Sequence, residues 1–161
     1  MSRSDGTSVE PLIREALHAL VAIDFDRYMA MWHDDCRVEY PTQLPGRPAN
    51  IVGKERLAEY NRGAFHGTDR REIRDLEIRP FADPSFALVE FELVQSFGGG
   101  AGHFQGRVCI IFGEREGKLS SMREYADTRL LVEAIATYES AVTKSARSVD
   151  PAVGNSAGKE Y

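Results

Sequence analysis

Residues 86–125 read FALVEFELVQSFGGGAGHFQGRVCIIFGEREGKLSSMREY, and this stretch decides the fold. Two runs rich in apolar residues, Phe86–Phe97 and His103–Phe112, flank a short glycine-rich segment, which predicts two strands and a hairpin tip. Glu116-Gly117 marks a second tight turn, and Lys118–Tyr125 follows as a further strand. Strands joined by such short turns pair antiparallel. The stretch therefore predicts three neighbouring antiparallel strands.

The sequence before and after these strands predicts one more long strand, a short one and several helices. Glu72–Ile78 alternates as a strand, and Cys36–Tyr40 is typical of a shorter strand before a proline-rich loop, Pro41–Pro48. Apolar residues at helical spacing predict helices in four places: Leu12 to Leu20, Phe25 to Trp32, Leu57 to Phe65 and Leu130 to Tyr138. Helices gathered on one side of an antiparallel sheet make an α+β fold.

Length and composition fit one folded domain. The chain has 161 residues, 42% of them hydrophobic, so it can bury a core. No apolar run approaches the roughly 20 residues that cross a bilayer. Met1–Ser8 lacks the apolar centre of a signal peptide, so we expect a cytoplasmic protein without a membrane partner. Residues 1–8 and 141–161 are polar and aperiodic, which predicts disordered ends around a domain over residues 9–140.

Charge and motif content argue against several kinds of partner. The net charge is −5 and no basic face is visible, so we expect no nucleic-acid partner. The histidines lack metal-ligand spacing, and Gly98–Gly102 lies between strands without the lysine of a phosphate loop. Cys36 and Cys109 lie in separate apolar stretches and are predicted to be reduced core residues. The sequence thus predicts no metal and no cofactor.

Two stretches carry a resemblance to a known family. The first runs from Trp32 to Pro41 as WHDDCRVEYP and continues, after the proline-rich loop, with IVGKE at 51–55. The second is MREYAD at 122–127 with the helix behind it. In this order and at this separation they resemble the nuclear transport factor 2-like superfamily, and within it the SnoaL-like branch, over Val9–Tyr138. The resemblance implies a cone-shaped α+β barrel, in which helices close over the concave sheet and leave a small-molecule pocket.

The same resemblance implies a site around Glu124. This residue takes the place of the acid/base carboxylate that limonene epoxide hydrolases, SnoaL-type cyclases and phenazine-biosynthesis proteins carry on the last strand. Glu90 and Glu92 fall on two further positions of the hydrolase site, the first as an acid where the hydrolases have a cation. Tyr40 falls on the position of their asparagine. The epoxide-opening set is therefore incomplete in this sequence.

Strand alternation leaves two interpretations of the Phe86–Phe97 strand open. Glu90 and Glu92 share one face, while Phe91 and Leu93 share the other. Alternation alone indicates that the glutamates face solvent and the apolar residues are buried. The resemblance instead implies that the glutamates point into the cone. Phe91 and Leu93 would then join Tyr125 in a homodimer interface on the outer face of the sheet.

Further residues are predicted to contact a substrate. Arg74 shares a face with Leu76 and Ile78 by alternation, and from that face it would hold a substrate carboxylate or pair with a glutamate. Aromatic side chains on the elements that close the cone suit a flat or cyclic apolar substrate. They are Tyr28, Trp32, Tyr40, Tyr60 and Phe65.

These residues together favour a cofactor-free acid/base enzyme that acts on a small cyclic or polyketide-like metabolite by cyclisation, isomerisation, dehydration or condensation. Glu124 would move the proton, and a carboxyl group in an apolar pocket beside Glu90 and Glu92 resists ionisation. Two alternatives stay open. One is a non-catalytic binding or scaffold protein that uses the same pocket. The other is an epoxide-opening enzyme that uses Glu92 and Glu124.

Overall fold

The computed structural model describes residues 8–42, 44 and 46–148, with the side chains described up to residue 140. The expected disorder of residues 1–7 and 149–161 lies outside the described residues. Between these ends the chain forms an α+β domain, as predicted, in which helices cover a curved, open sheet.

The described ranges contain four helices: α1 Glu10–Val21, α2 Phe25–Ala30, α3 Lys54–His66 and α4 Thr128–Ser148. Asp24 caps α2, because its carboxylate accepts a hydrogen bond from the backbone N–H of Arg27 at 3.1 Å. Helix α4 continues through residues 141–148, so the disorder predicted from Ala141 is wrong for that segment. The segment contains no glycine or proline to end the helix.

In the part of the chain that the structure describes, six strands form one sheet in the order β2-β1-β6-β5-β4-β3. They are β1 Trp32–Glu39, β2 Asn50–Val52, β3 Thr68–Pro80, β4 Phe86–Phe97, β5 Gly102–Arg115 and β6 Lys118–Ala126. Strand β1 starts earlier than predicted, and β2 was not predicted. Strand β1 runs parallel to β6, so the sheet is mixed rather than antiparallel. Only strands joined by tight turns are bound to pair antiparallel, and a long stretch of chain separates β1 from β6.

The core lies between the concave face of the sheet and the helices, where α1 packs on β3, α3 on β1 and α4 on β5. Trp32, Phe91 and Phe112 are its largest fully buried side chains. Cys36 is buried in this core as predicted. Cys109 is only half-buried and pairs across strands with Glu90 and Tyr125, so it is not the core residue that was predicted.

Strand β4 follows plain alternation. Val89 and Phe91 are buried in the core and Leu93 packs against it, while Glu90 and Glu92 lie on the outer face. On that outer face each glutamate pairs with an arginine of β3. The implied location of both glutamates inside the cone is therefore wrong. Phe91 and Leu93 are likewise absent from the outer face, so the homodimer stays a prediction without that apolar patch.

Alanine substitutions at two glycines are expected to change the stability of the fold in opposite directions. At Gly98 (φ 65°) an added Cβ would lie 2.0 Å from the ring of Tyr138, which packs on Phe97 at 5.5 Å between ring centroids. Gly98→Ala is therefore expected to destabilise the fold by about 1–3 kcal/mol. Gly63 lies inside α3, where nothing lies within 4 Å of an added Cβ. Gly63→Ala is expected to stabilise by about 0.5–1 kcal/mol. Urea unfolding measures both, and a loss of equal size in the two variants would contradict this account.

Candidate active site

A cavity of about 640 Å³ lies between the concave sheet and the helices. This volume is typical of small-molecule sites. Most of its wall is apolar, and α1, α3, α4 and strands β3 to β6 all contribute side chains. Among them are Leu17, Tyr60, Phe91, Val108, Phe112, Met122 and Leu131. A cavity walled in this way favours a ligand with a large apolar surface.

Glu124 is the carboxylate on the β6 part of the cavity wall. Its strand neighbours on the same face are Met122 and Ala126, which also line the cavity, while Arg123 pairs with Glu39 on the outer face. The Glu124 side chain keeps 21% of its exposure. Glu124 thus lies on the face that the resemblance implies, at a point that a ligand in the cavity can touch.

Arg47 is the partner of Glu124, and sequence reasoning missed it. It comes from the proline-rich loop after β1, and its Nη2 donates a hydrogen bond to Glu124 Oε1 at 2.8 Å. The guanidinium also lies over the ring of Tyr40, with Cζ 3.4 Å from the ring centroid. A single arginine in an aperiodic loop leaves no pattern in the sequence. Its role appears only when the loop folds over β6.

The pairing of Arg47 is incomplete. Burial by itself lowers the pKa of Arg47, but the charge of Glu124 and the hydrogen bond to it outweigh burial and raise the pKa above the usual value. Its Nε and Nη1 are buried without a hydrogen-bond partner in the described part of the chain. Buried N–H groups of a guanidinium that lack an acceptor are suited to an oxygen that develops negative charge.

Three tyrosines surround this ion pair. Tyr28, Tyr40 and Tyr60 line the cavity, and the rings of Tyr40 and Tyr60 lie 5.8 Å apart. Burial, followed by the negative charge of Glu124, raises the pKa of both Tyr28 and Tyr40 well above the ordinary range. Both hydroxyls therefore stay protonated at neutral pH and can serve as hydrogen-bond donors.

Of the predicted aromatic contacts, Phe65 lines the cavity and Trp32 does not. Phe65 lines the cavity and packs against Tyr28, with 5.3 Å between the ring centroids. Trp32 is only 1% exposed and is not part of the wall, because it lies behind Tyr28 at 6.0 Å between the ring centroids. Trp32 is therefore a core residue that supports the wall rather than a substrate contact.

Arg71, not Arg74, is the arginine that β3 turns toward the cavity. A bulge interrupts the β3–β4 register between Arg74 and Glu77, and Asp75 within it has φ 50°. Before the bulge, Arg71 and Ile73 face inward; after it, Leu76 and Ile78 do. Alternation counted back from Leu76 therefore assigns Arg74 to the wrong face. The Arg74 side chain is 46% exposed and pairs with Glu72 and Glu92 outside.

The predicted group of three carboxylates does not assemble. Glu92 accepts a hydrogen bond from Gln105 at 3.0 Å and lies 3.8 Å from Arg74, and Glu90 pairs with Arg79. Both lie on the face of the sheet opposite Glu124. The epoxide-opening pair of Glu92 and Glu124 is therefore wrong, as is the idea that neighbouring carboxylates act on Glu124. The charged neighbour of Glu124 is Arg47, not a second carboxylate.

The described residues hold no group of three or more His, Cys, Asp or Glu side chains arranged to bind a metal ion. None of the helices in the described ranges is long and apolar enough to span a bilayer. The features that remain are an apolar cavity, an ion pair on its wall and a second buried arginine. Together they make a candidate small-molecule site between the helices and the curved, open sheet.

The comparisons with known proteins show the family and the fold of the chain. The family model of the SnoaL-like domain matches residues 13–122, and the chain belongs to that family. No curated protein matches this chain in sequence.

Solved structures share the fold. A Bacillus subtilis protein provisionally named an isomerase is 16% identical, with a TM-score of 0.73 over 80% of this chain and 93% of the other. A Pseudomonas putida protein provisionally named a polyketide cyclase is 20% identical, with a TM-score of 0.67 over 80% and 98%. A phenazine biosynthesis-related protein from Pseudomonas aeruginosa is 20% identical, with a TM-score of 0.61 over 80% and 89%. Identities this low show a shared fold and no more.

Proposed function

We propose that the protein is a cofactor-independent acid/base enzyme that moves a proton on a small cyclic or polyketide-like metabolite inside the cavity. The observation that carries the proposal is the pair formed by Glu124 and Arg47. It combines a carboxylate with a guanidinium that has two buried N–H-bearing nitrogens without a partner in the described part of the chain, on a mostly apolar wall. A proton acceptor beside an oxyanion donor is what proton abstraction next to a carbonyl requires.

The step assigns one role to each group. Glu124 takes the proton from the carbon next to a substrate carbonyl, and the C–H electron pair moves into the carbonyl to give an enolate. The free N–H groups of Arg47, with the hydroxyl of Tyr40 or Tyr28 as a further donor, stabilise the enolate oxygen. Return of the proton from Glu124 to a different carbon completes an isomerisation. In a cyclisation the enolate carbon forms a bond to a second carbonyl carbon of the same molecule, the electron pair of that C=O moves to its oxygen, and the proton returns from Glu124 to the resulting alkoxide.

The test is hydrogen exchange on a panel of cyclic ketones and cyclic diketones in D₂O, followed by NMR. Wild-type protein is expected to exchange the hydrogens next to the carbonyl of at least one panel member faster than buffer does. The matching cyclic alcohol, which lacks an acidic C–H, is expected to compete. The acid/base proposal is contradicted if the hydrogens next to the carbonyl exchange at the buffer rate in every panel member that binds.

A binding protein is the second candidate, and one observation favours it. Arg47 forms an ion pair with Glu124 and donates a hydrogen bond to one of its carboxylate oxygens, an arrangement that a structural or ligand-holding pair would also have. In this case panel members change the NMR spectrum of the protein on titration, and their own hydrogens exchange no faster than in buffer. The same experiment therefore separates the two candidates.

A further inference from the structure

A second buried guanidinium lines the cavity, and no carboxylate among the described residues lies within ion-pair distance of it. Arg71 is 8% exposed and lines the cavity, and it forms no ion pair with any carboxylate side chain that the structure describes. Its hydrogen bonds go to uncharged acceptors. They are Gln95 Oε1 at 3.3 Å, the Leu20 carbonyl at 3.3 Å, the Ala64 carbonyl at 3.1 Å and Thr68 Oγ1 at 3.3 Å.

These contacts hold Arg71 in place without balancing its charge. A buried charge is costly unless an opposite charge lies nearby. Burial accordingly lowers the pKa of Arg71. The ring of Phe65, with its centroid 4.7 Å from the Arg71 Cζ, adds a weak attraction only. The arrangement fixes the direction of a guanidinium and leaves its charge available to an anion in the cavity.

The position of Arg71 differs from that of Arg47. Arg47 already pairs with Glu124, so those two charges cancel. In the sheet register Glu124 is level with Ile110, whereas Arg71 is level with Gln95 and Phe104. Ile110 and Phe104 lie several residues apart on β5, so Arg71 is displaced from the ion pair along the sheet.

We propose that Arg71 binds the carboxylate of the substrate, so that the cavity takes a flat or cyclic apolar monocarboxylic acid whose reacting carbon lies at Glu124. The inference rests on the proposed function, because it names the substrate class for the same cavity. A monoanion fits better than a phosphate group, since Arg71 supplies one positive charge and Leu93, Phe97 and Phe104 beside it are apolar. Most of its N–H groups are also already engaged.

The test compares two probes that differ only in charge, trans-cinnamate and trans-cinnamamide, by titration calorimetry. The wild-type protein is expected to bind cinnamate about 10-fold or more tightly than cinnamamide, the usual size of a hydrogen bond to a charged group. Arg71→Met is expected to remove that preference. Arg74→Met is the matched control, because it removes the same charge from the same strand on the outer face, and the preference is expected to persist.

Arg71→Met is expected to fold, because both carbonyls that Arg71 contacts keep another donor. Leu20 O accepts from the backbone N–H of Ile23 at 3.2 Å, and Ala64 O accepts from the Thr68 hydroxyl at 2.7 Å. If the variant still fails to fold, NMR of wild-type protein with ¹⁵N-labelled arginine replaces it. The Arg71 side-chain signal is then expected to move with cinnamate and not with cinnamamide.

Three results overturn the proposal: equal affinity for the two probes, no binding of cinnamate, or an unchanged preference in Arg71→Met. None of them bears on Glu124, whose role is read from hydrogen exchange on uncharged ketones. Conversely, a preference for cinnamate that depends on Arg71 stands even when Glu124 transfers no proton. The two proposals therefore fail separately.

Discussion

Glu124→Gln is expected to slow hydrogen exchange on a cyclic ketone substrate by about 100-fold or more, the usual contribution of a positioned proton carrier. Gln is nearly isosteric with Glu and cannot accept the proton. Its amide oxygen still accepts the Arg47 hydrogen bond, so the position of the side chain is preserved. Ligand affinity is expected to change little, because the apolar wall supplies most of the contact area.

Glu92→Gln is the matched control for this variant. Glu92 is also a strand glutamate, partly buried and close to an arginine, but it lies on the outer face of the sheet. Its replacement is expected to leave the exchange rate unchanged. The measurements are exchange rate, ligand affinity and melting temperature for the two variants. Full exchange activity in Glu124→Gln would show that Glu124 is not the proton carrier.

Arg47→Met is expected to destabilise the fold by about 2 kcal/mol and to lower the exchange rate as well. The Arg47 side chain is 11% exposed and that of Glu124 21%, so removing the cation leaves a mostly buried carboxylate unpaired. Loss of the Arg47 N–H groups also removes the donors assigned to the enolate oxygen. Urea unfolding measures the first effect, and exchange in D₂O measures the second.

The double variant Arg47→Met/Glu124→Gln separates stability from chemistry. Removing both charges leaves neutral side chains in an apolar wall, so the free energy of unfolding is expected to return to within about 1 kcal/mol of the wild-type value. The exchange rate is expected to stay low, since base and oxyanion donor are both gone. Recovery of exchange together with stability would show that neither Arg47 nor Glu124 takes part in the chemistry.

The sequence predicted the elements that local patterns specify. Tight turns at Gly98–Gly102 and Glu116-Gly117 fixed the order and direction of β4, β5 and β6. Alternation along β6 gave Glu124 the same face as Met122, and along β4 it buried Phe91. Each of these inferences needs only the neighbouring residues, because a regular strand has a fixed two-residue period.

The wrong predictions arose where a bulge breaks the period of a strand or where a contact between distant residues determines which side chains meet. The bulge at Asp75 shifts the β3 period by one residue, so the arginine that faces the cavity is Arg71 and not Arg74. Transfer of positions from distant relatives assigned Glu90 and Glu92 to the cone, although alternation with Phe91 indicated the outer face. Arg47 gave no signal at all, since its partner lies on β6, 77 positions away in the chain.

The sequence by itself therefore determined the α+β domain, the strand order from β4 to β6 and the cavity-facing position of Glu124. The first two follow from turn chemistry and the periods of strand and helix, and the third follows from the family resemblance. Only the tertiary structure decided which charges share the cavity. The Arg47–Glu124 pair depends on how a loop folds over one strand. The inward position of Arg71, which has no carboxylate partner among the described residues, depends on one bulge in another strand. Charges interact through space over a few ångströms, so the periodicity of the sequence does not predict which charged side chains pair.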